Sequence, residues 1–317
     1  MIQASQALES TKEPHMFSLS KFQTSSIFAL IFTALVGINS AYASTSNVFV
    51  TPSWLKKNLS EVTVIDMSDK TNFQKFHIPG ALWVNYNWLI KPQNGLAVSG
   101  GENYMADVLS QLGINNADHI VIYDDMGGLD ASRLYWELSK LNHKNVSILD
   151  GGIVSWVLAG NKVTQTPPKR PNRSQYKVPA KTLTDKLTAD KAETVAAIKD
   201  PKTILIDTRS KAEYEGSSKE KHSGHIPSAL WFEWSMSVNT KDGFKQYSDD
   251  ELMNSLRAKS ISDLEQPIIL YCNTAHRASR VFTMLKSLGF KDVKLYDASI
   301  QEYSIDKTLP LKRSAQP

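Results

Sequence analysis

The residue best suited to covalent chemistry in this sequence is Cys272, the only cysteine in the 317-residue chain. It directly follows the apolar run 268–271, which is typical of a buried strand. The stretch 279–288 then carries apolar residues at helical spacing and ends before Gly289, a common helix stop. A strand–loop–helix turn directs backbone N–H groups and the positive end of a helix dipole at one place. Because that environment favours a reactive thiolate, Cys272 is a candidate nucleophile.

A lone cysteine has two possible explanations. At an arbitrary position, an inert buried thiol is the more common of the two. The loop position of Cys272 favours the reactive explanation, and no second cysteine is present to form or resolve a disulfide within the chain.

The first 43 residues have the pattern of a secretory signal peptide. Lys21 precedes an apolar run at 27–38, and Ala41-Tyr42-Ala43 fits a signal-peptidase site with cleavage before Ser44. The alternative is an uncleaved membrane anchor, although the run is short for a helix that spans a membrane. We therefore expect an exported, periplasmic protein. A chain with a single cysteine forms no internal disulfide, so the stability of this protein must come from its hydrophobic cores.

The composition is that of a globular protein, with 41% hydrophobic and 21% charged residues. The formal net charge of +4 is mild and no basic tract accompanies it, which argues against a nucleic-acid partner. Asp124-Asp125 has no further ligands at useful spacing, so the sequence implies no metal. No organic cofactor is implied either.

Strands alternate with helical segments along the chain, which indicates an α/β fold with parallel sheets. The same landmarks occur twice in the same order, which indicates a tandem of two domains rather than a solenoid. The paired landmarks are Val64-Ile65-Asp66 with Leu205-Ile206-Asp207, His77-Ile78-Pro79 with His225-Ile226-Pro227, Val121-Ile122-Tyr123 with Ile269-Leu270-Tyr271, and Ala131-Ser132-Arg133 with Ala278-Ser279-Arg280. Because both copies have the histidine, we interpret His77 and His225 as structural, turn-fixing residues.

The repeat predicts the domain boundaries. After the leader at residues 1–43, we expect a first domain at 46–163 and a second domain at 184–317, each a parallel sheet flanked by helices. The proline-rich, basic stretch between them predicts an extended linker at 164–183.

The differences between the copies indicate where the chemistry lies. Tyr271-Cys272 in the second copy corresponds to Tyr123-Asp124 in the first, and a carboxylate does not replace a soft thiolate nucleophile. Arg209 is also present only in the second copy, because Asp207-Thr208-Arg209 corresponds to Asp66-Met67-Ser68. The sequence therefore predicts one catalytic domain and one catalytically inactive scaffold domain.

At this point the chain resembles the tandem-domain rhodaneses, sulfurtransferases with an inactive first domain and a catalytic second domain. The resemblance covers essentially everything after the leader. Its carriers in the second half are Asp207-Thr208-Arg209 with Glu213-Tyr214, Gly224-His225-Ile226-Pro227-Ser228-Ala229, and Tyr271-Cys272 through Ser279. In the first half they are His77-Ile78-Pro79-Gly80-Ala81 and Leu149-Asp150-Gly151-Gly152 with Trp156.

The resemblance implies a mechanism and a set of site residues. Cys272 would take the outer sulfur of a small anionic donor, such as thiosulfate or 3-mercaptopyruvate, and become a persulfide. The sulfur would then pass to cyanide, a thiol or a protein acceptor. Arg209 would bind the anionic donor, and the loop residues that follow the cysteine would form the cradle for the charge: Asn273, Thr274, Ala275, His276 and Arg277.

The loop departs from the family in ways that leave alternatives open. Ala275 stands where rhodaneses often have glycine, and an alanine fits there if its φ is below zero. Donor preference does not transfer, because the residues after Cys272 differ from those of the well-known thiosulfate and mercaptopyruvate enzymes. A cysteine phosphatase or arsenate reductase would need arginine six positions after the cysteine, whereas Arg277 lies at the fifth. A non-enzymatic sulfur-carrier or binding protein on the same fold is the other alternative.

Overall fold

The computed structural model describes residues 47–216 and 222–314. The leader expected at residues 1–43 lies outside the described residues, so the signal peptide and the export of the protein stay predictions. Within the described ranges, no helix is both long enough and apolar enough to cross a membrane.

The first domain is a five-stranded sheet with helices on its faces, together with a small antiparallel hairpin formed by β4 and β5. Its main sheet has the order β1-β7-β6-β2-β3, and every neighbouring pair is parallel. The elements are β1 Phe49–Val50, α1 Pro52–Asn58, β2 Thr63–Asp66, α2 Lys70–Lys75, β3 Leu82–Trp83, a 3₁₀ turn Tyr86–Leu89, β4 Ile90–Gln93, β5 Leu96–Ser99, α3 Glu102–Gln111, β6 Ile120–Tyr123, α4 Leu129–Lys140, β7 Val146–Leu149 and α5 Gly152–Leu158.

The second domain has the same architecture. Its sheet order is β8-β14-β13-β9-β10. Read in this direction, the five strands correspond one by one to β1-β7-β6-β2-β3 of the first domain. The elements are α6 Thr184–Leu187, β8 Thr188–Ala189, α7 Lys191–Ala197, β9 Ile204–Asp207, α8 Lys211–Glu215, β10 Leu230–Trp231, a 3₁₀ turn Trp234–Ser237, β11 Val238–Asn239, β12 Lys245–Gln246, α9 Asp249–Arg257, β13 Ile268–Tyr271, α10 His276–Ser287, β14 Val293–Tyr296 and α11 Ser299–Tyr303. The predicted fold class, two tandem α/β domains, is confirmed.

The strand register is repeated along with the order. Asp66 pairs with Trp83 in the first domain, and Asp207 pairs with Trp231 in the second. The central strands β6 and β13 are buried along their whole length, as expected for continuous apolar runs in a parallel sheet. Because all strands of a parallel sheet end at the same edge, the loops after β6 and β13 lie where ligands bind in such folds.

The two repeated histidines have the structural role that the repeat predicts. The backbone of His77 bridges to Thr164, and the backbone of His225 bridges to Lys312. The His77 ring stacks on Phe73 at 4.0 Å, and the His225 ring stacks on Tyr214 at 3.8 Å. Each histidine also hydrogen-bonds through Nδ1 to the carbonyl of its stacking partner, at 2.8 Å in both copies.

The two domains contact each other through α4 and α10, which pack side by side. The Oγ of Ser132 and the Oγ1 of Thr283 hydrogen-bond across this contact at 2.8 Å. Trp136 of α4 lies fully buried in the core of the second domain, and its indole N–H donates to the carbonyl of Leu187 at 3.0 Å. Residues 165–183 form no helix or strand, in keeping with an extended linker.

Candidate active site

Cys272 follows β13 directly, and three residues separate it from His276, the first residue of α10. Its thiol is free of any disulfide, and the residue is 1% exposed. The helix begins at His276, earlier than the apolar spacing from 279 indicates, so the loop between strand and helix is only 272–275. The cysteine therefore lies at the base of a tight turn, at the carboxyl edge of the sheet.

The conformation of Ala275 corrects an expectation from the sequence. Its φ is +56° and its ψ is 4°, so it lies in the left-handed region and not at negative φ. A residue with a Cβ pays a conformational cost there that glycine does not. Gly128 caps α4 in the same left-handed conformation, so the turn of the first domain is kept although the residue type differs.

Ser299 holds this turn in place. Its Oγ accepts hydrogen bonds from the amides of Cys272, at 3.2 Å, and of Ala275, at 3.0 Å. The same hydroxyl donates to the carbonyl of Tyr296 at 2.8 Å. All these groups are buried, so the position of the cysteine backbone is set by a satisfied hydrogen-bond network.

The corresponding loop of the first domain shows what this turn binds. Oδ1 of Asp124 accepts from the amides of Met126 and Gly128, and Oδ2 accepts from those of Asp130 and Ala131, all at 2.8–3.0 Å. Burial raises the pKa of Asp124, and the amide bonds act against that rise. A carboxylate thus lies in the amide cradle at the N-terminus of α4, a known arrangement for binding anions.

In the second domain the same type of cradle is available to another anion. Among residues 47–216 and 222–314, the amides of Thr274, Arg277 and Ala278 have no hydrogen-bond acceptor. Ala278 lies six residues after Cys272, whereas Ala131 lies seven after Asp124, so this loop is one residue shorter. The Cys272 thiol stands where the first domain has the Asp124 carboxylate, which accepts from four amides of its own loop.

Glu213 connects the start of α8 to residues 272–277, the loop and first helical residues after β13, which we call the cradle loop. Its Oε1 accepts from Nδ2 of Asn273 and from Nη2 of Arg277, each at 3.0 Å, and its Oε2 accepts from Nη1 of Arg277 at 2.6 Å. Burial alone would raise the pKa of Glu213, but the bonds from Arg277 and Ser210 outweigh it and lower the pKa to about 2. The carboxylate is therefore ionised and orients Arg277.

The sequence reading did not assign Glu213 to the site. The Ser210-x-x-Glu213 pattern indicates a capping box, which the structure contains. Its second contact, with a loop 64 positions away in the chain, has no local pattern that would reveal it.

His276 connects the cradle loop to the first domain. Its Nε2 lies 2.5 Å from Oδ1 of Asp130, and its ring lies 4.4 Å from the ring of Tyr86. Asp130 and Tyr86 were not expected at the site, because both belong to the domain without the cysteine. The first domain therefore supplies part of the wall beside the loop.

Arg209 does not lie where the resemblance implies. Its side chain is fully buried, and its guanidinium donates to both carboxylate oxygens of Asp207. Its two terminal nitrogens also donate to the carbonyls of His222, at 3.0 Å, and Gly224, at 2.7 Å. Since all three guanidinium nitrogens have protein partners, this geometry corrects the expectation that Arg209 faces the donor. Its contacts are structural.

A match to a protein-family model shows to which family the chain belongs. The model of the rhodanese-like domain matches residues 51–159 and 190–306, which together make up more than half of the sequence. The chain belongs to the rhodanese-like family. Both domains of the fold carry a match, including the first, in which Asp124 stands in the position of the cysteine.

Curated relatives in this rhodanese-like family support a sulfurtransferase. A putative thiosulfate sulfurtransferase of Mycolicibacterium smegmatis is 30% identical over 272 residues, which cover 81% of this chain and 95% of the relative. The thiosulfate sulfurtransferase of Mus musculus is 30% identical over 244 residues, which cover 74% of this chain and 79% of the relative.

Solved structures share the fold. The crystal structure of YnjE matches with a TM-score of 0.75 at 23% identity, and covers 85% of this chain and 69% of that one. A structure of EanB that contains a cysteine persulfide and ergothioneine matches with a TM-score of 0.77 at 19% identity, and covers 86% of this chain and 72% of that one.

Proposed function

We propose that this protein transfers sulfane sulfur through a persulfide on Cys272. The observation that carries the proposal is the pair of homologous loops. One binds a carboxylate through four amides, and the other has a thiol at the base of the same turn with amides that lack protein acceptors. Oriented backbone donors of this kind stabilise negative charge without a separate base.

The first half-reaction forms the persulfide. The Cys272 thiolate attacks the outer sulfur of the donor and forms a sulfur–sulfur bond. The bond between that sulfur and the rest of the donor breaks, and the leaving group departs with the electron pair, as sulfite in the case of thiosulfate. The new terminal sulfur carries the negative charge, and in this proposal the amides of Thr274, Arg277 and Ala278, which have no acceptor among the described residues, stabilise it.

The donor we propose is a small anion of the thiosulfate or 3-mercaptopyruvate type. The names of the relatives favour thiosulfate. Arg277 is already paired with Glu213, so most of the attraction for the donor comes from the backbone and the helix dipole. A donor that is small enough to reach a nearly buried thiol fits this geometry.

The proposal is tested by the intact mass of the protein after incubation with thiosulfate, and separately with 3-mercaptopyruvate. We expect a gain of one sulfur that dithiothreitol reverses, and no gain in Cys272→Ser. The serine variant keeps the backbone that Ser299 binds and removes only the nucleophile. If no sulfane donor adds sulfur to the wild-type protein, the function is instead that of a binding protein on this fold.

A further inference from the structure

Two residues of the first domain orient the ring of His276, which lies in the cradle loop of the second. Nε2 of the imidazole lies 2.5 Å from Oδ1 of Asp130, a residue of α4. The ring also packs against the ring of Tyr86, with the centroids 4.4 Å apart. Since His276 is the first residue of α10, its backbone is fixed by one domain and its side chain by the other.

The contact with Asp130 determines which nitrogen of the His276 ring carries a proton. A carboxylate accepts hydrogen bonds, so Nε2 is the protonated nitrogen at this contact. The other nitrogen, Nδ1, has no hydrogen-bond partner within 47–216 and 222–314, and it is not among the buried side-chain atoms that lack one. Nδ1 is therefore open to solvent, and in the neutral ring it has a lone pair that can take a proton.

His276 is also the base that the composition of the cradle loop leaves available. A substrate approaches Cys272 across this loop, because the cysteine is 1% exposed and most of residues 273–277 are partly exposed. Arg277 is a cation paired with Glu213, whose pKa of about 2 makes it a poor base at neutral pH. Apart from the nucleophile, His276 is the one residue of the cradle loop whose type gains and loses a proton near neutral pH.

We propose that His276 takes the proton of a thiol acceptor in the second half-reaction, and that Asp130 is a positioning residue that keeps Nδ1 free for this role. The inference rests on the sulfurtransferase function proposed above. It adds a residue of the first domain to the reaction, and it makes the acceptor a thiol that loses its proton within the site. The domain without the cysteine thus acts on the chemistry through one hydrogen bond.

The step is balanced in atoms and charge. Nδ1 takes the thiol proton, and the thiolate attacks the outer sulfur of the Cys272 persulfide. A sulfur–sulfur bond forms on the acceptor, the bond to Cys272 breaks, and its electron pair returns to Cys272 as the thiolate. The acceptor leaves as a persulfide, and the imidazolium of His276 releases its proton to solvent.

The test starts from protein whose Cys272 already carries the persulfide, so that only the second half-reaction is measured. Rapid mixing near pH 8 gives the rate of sulfur loss to 2-mercaptoethanol, which still carries its proton, and to sulfite, which has none to lose. The variant is His276→Gln, because glutamine can still donate to Asp130 but takes no proton. The ratio of the thiol rate to the sulfite rate is compared between proteins, so the reactivities of the acceptors and of the persulfide cancel.

We expect His276→Gln to lower this ratio about a hundredfold, the low end of what a positioned base contributes. Asp130→Asn should lower it about tenfold or more, because the asparagine amide can donate to Nε2 and so favour the ring with Nδ1 protonated. In the His276→Gln background, Asp130→Asn should cause no further loss, because Asp130 acts through His276.

The pH dependence of the same ratio is a second readout. Asp130 and Tyr86 face His276 from the first domain, and Cys272 and Arg277 flank it in its own loop. Burial raises the pKa of Tyr86, and Glu213 raises that of Arg277 against the effect of burial, so neither titrates near neutral pH. The wild-type ratio should therefore rise with pH through the range in which histidine titrates, and in His276→Gln this rise should be absent.

The matched control is Asp69→Asn. Asp69 lines the same first-domain cavity as Asp130, but its carboxylate caps α2, which asparagine also does well. This variant should leave the ratio unchanged.

The outcomes separate this inference from the proposed function. If the persulfide forms but His276→Gln leaves the ratio unchanged, or slows thiol and sulfite equally, His276 is not the proton acceptor and the proposed function stands. A further loss from Asp130→Asn in the His276→Gln background would overturn the positioning role of Asp130. If the wild-type protein takes up no sulfur, both proposals are overturned together.

Discussion

The Arg209 guanidinium is fully buried, and the carboxylate of Asp207 balances its charge. Arg209 was expected as the anion-binding arginine, but it forms a fully buried ion pair with Asp207 and hydrogen-bonds to two backbone carbonyls. Removing one partner of a buried pair leaves an uncompensated charge, which is far more costly than the pair itself is stabilising. Arg209 therefore belongs to the stability of the second domain.

We predict that Arg209→Met lowers the free energy of unfolding by about 3–5 kcal/mol, as measured by urea denaturation. The rate of sulfur uptake by the protein that remains folded should change by less than about threefold, or less than 1 kcal/mol. The matched control is Arg173→Met, which breaks an exposed ion pair with Asp107 and should leave the free energy of unfolding nearly unchanged, because solvent screens such pairs. Unchanged stability with a large loss of uptake would restore Arg209 to the donor site.

Glu213 joins helix α8 to the cradle loop. This carboxylate takes part in a capping box and also binds Asn273 and Arg277. The second domain has another capping box, Ser248 with Glu251, at the start of α9. Glu251 is exposed, and within 47–216 and 222–314 its carboxylate hydrogen-bonds to Ser248 alone. The two boxes therefore separate the effect of capping from the effect of holding the cradle loop.

We predict a pH-dependent effect of Glu213→Gln on stability. The pKa of Glu213 is lowered from 4.5 to about 2 in the folded protein. Its stabilising contribution is therefore complete above pH 4.5 and is lost as the pH falls through about 2. The difference in unfolding free energy between wild type and variant should be largest near pH 6 and smaller at pH 3.

The capping box at the start of α9 provides a matched control for the one at the start of α8. Glu251→Gln should have a smaller effect on stability, and sulfur uptake by Cys272 should be normal. Glu213→Gln should slow sulfur uptake, because Arg277 and Asn273 lose their common anchor. If the two variants behave alike in both measurements, Glu213 acts only as a helix cap.

At the scale of the whole molecule, the two domains are joined by reciprocal contacts. The amide of Ser99 in the first domain donates to Asp297 of the second, and the amide of Gln246 in the second donates to Asp150 of the first. Arg133 forms a buried ion pair with Asp297 at 2.8 Å. Trp136 is in addition buried in the core of the second domain. Through these contacts the first domain stabilises the second.

We predict that Trp136→Ala destabilises the protein by about 3–5 kcal/mol, the usual cost of removing a large buried aromatic side chain. Trp136 belongs to the first domain but is buried in the core of the second. The melting temperature of the second domain should therefore fall as well. Trp88→Ala is the control, since Trp88 is 43% exposed. A variant whose second domain keeps its wild-type protection from proteolysis would contradict this coupling.

The fold could be predicted from the sequence, and the sequence also singles out Cys272 as the candidate nucleophile. Two sets of apolar strands in the same order predict two sheets with the same topology, because strand burial and order follow from local runs and turns. The contrast between Cys272 and Asp124 was also readable, since a duplication aligns the two positions. The loop residues 273–277 then lie beside the cysteine because they follow it directly in the chain.

Only the three-dimensional structure shows which side chains from other elements reach the loop of Cys272. Asp130, Tyr86 and Glu213 reach the loop from other elements, and no spacing in the sequence relates them to it. Burial also decided the role of Arg209, because residue type shows a charge but not the carboxylate that neutralises it. That Asp124 lies in an anion cradle likewise appears only when four amides converge on it. Such convergence depends on backbone geometry, which composition and periodicity do not specify.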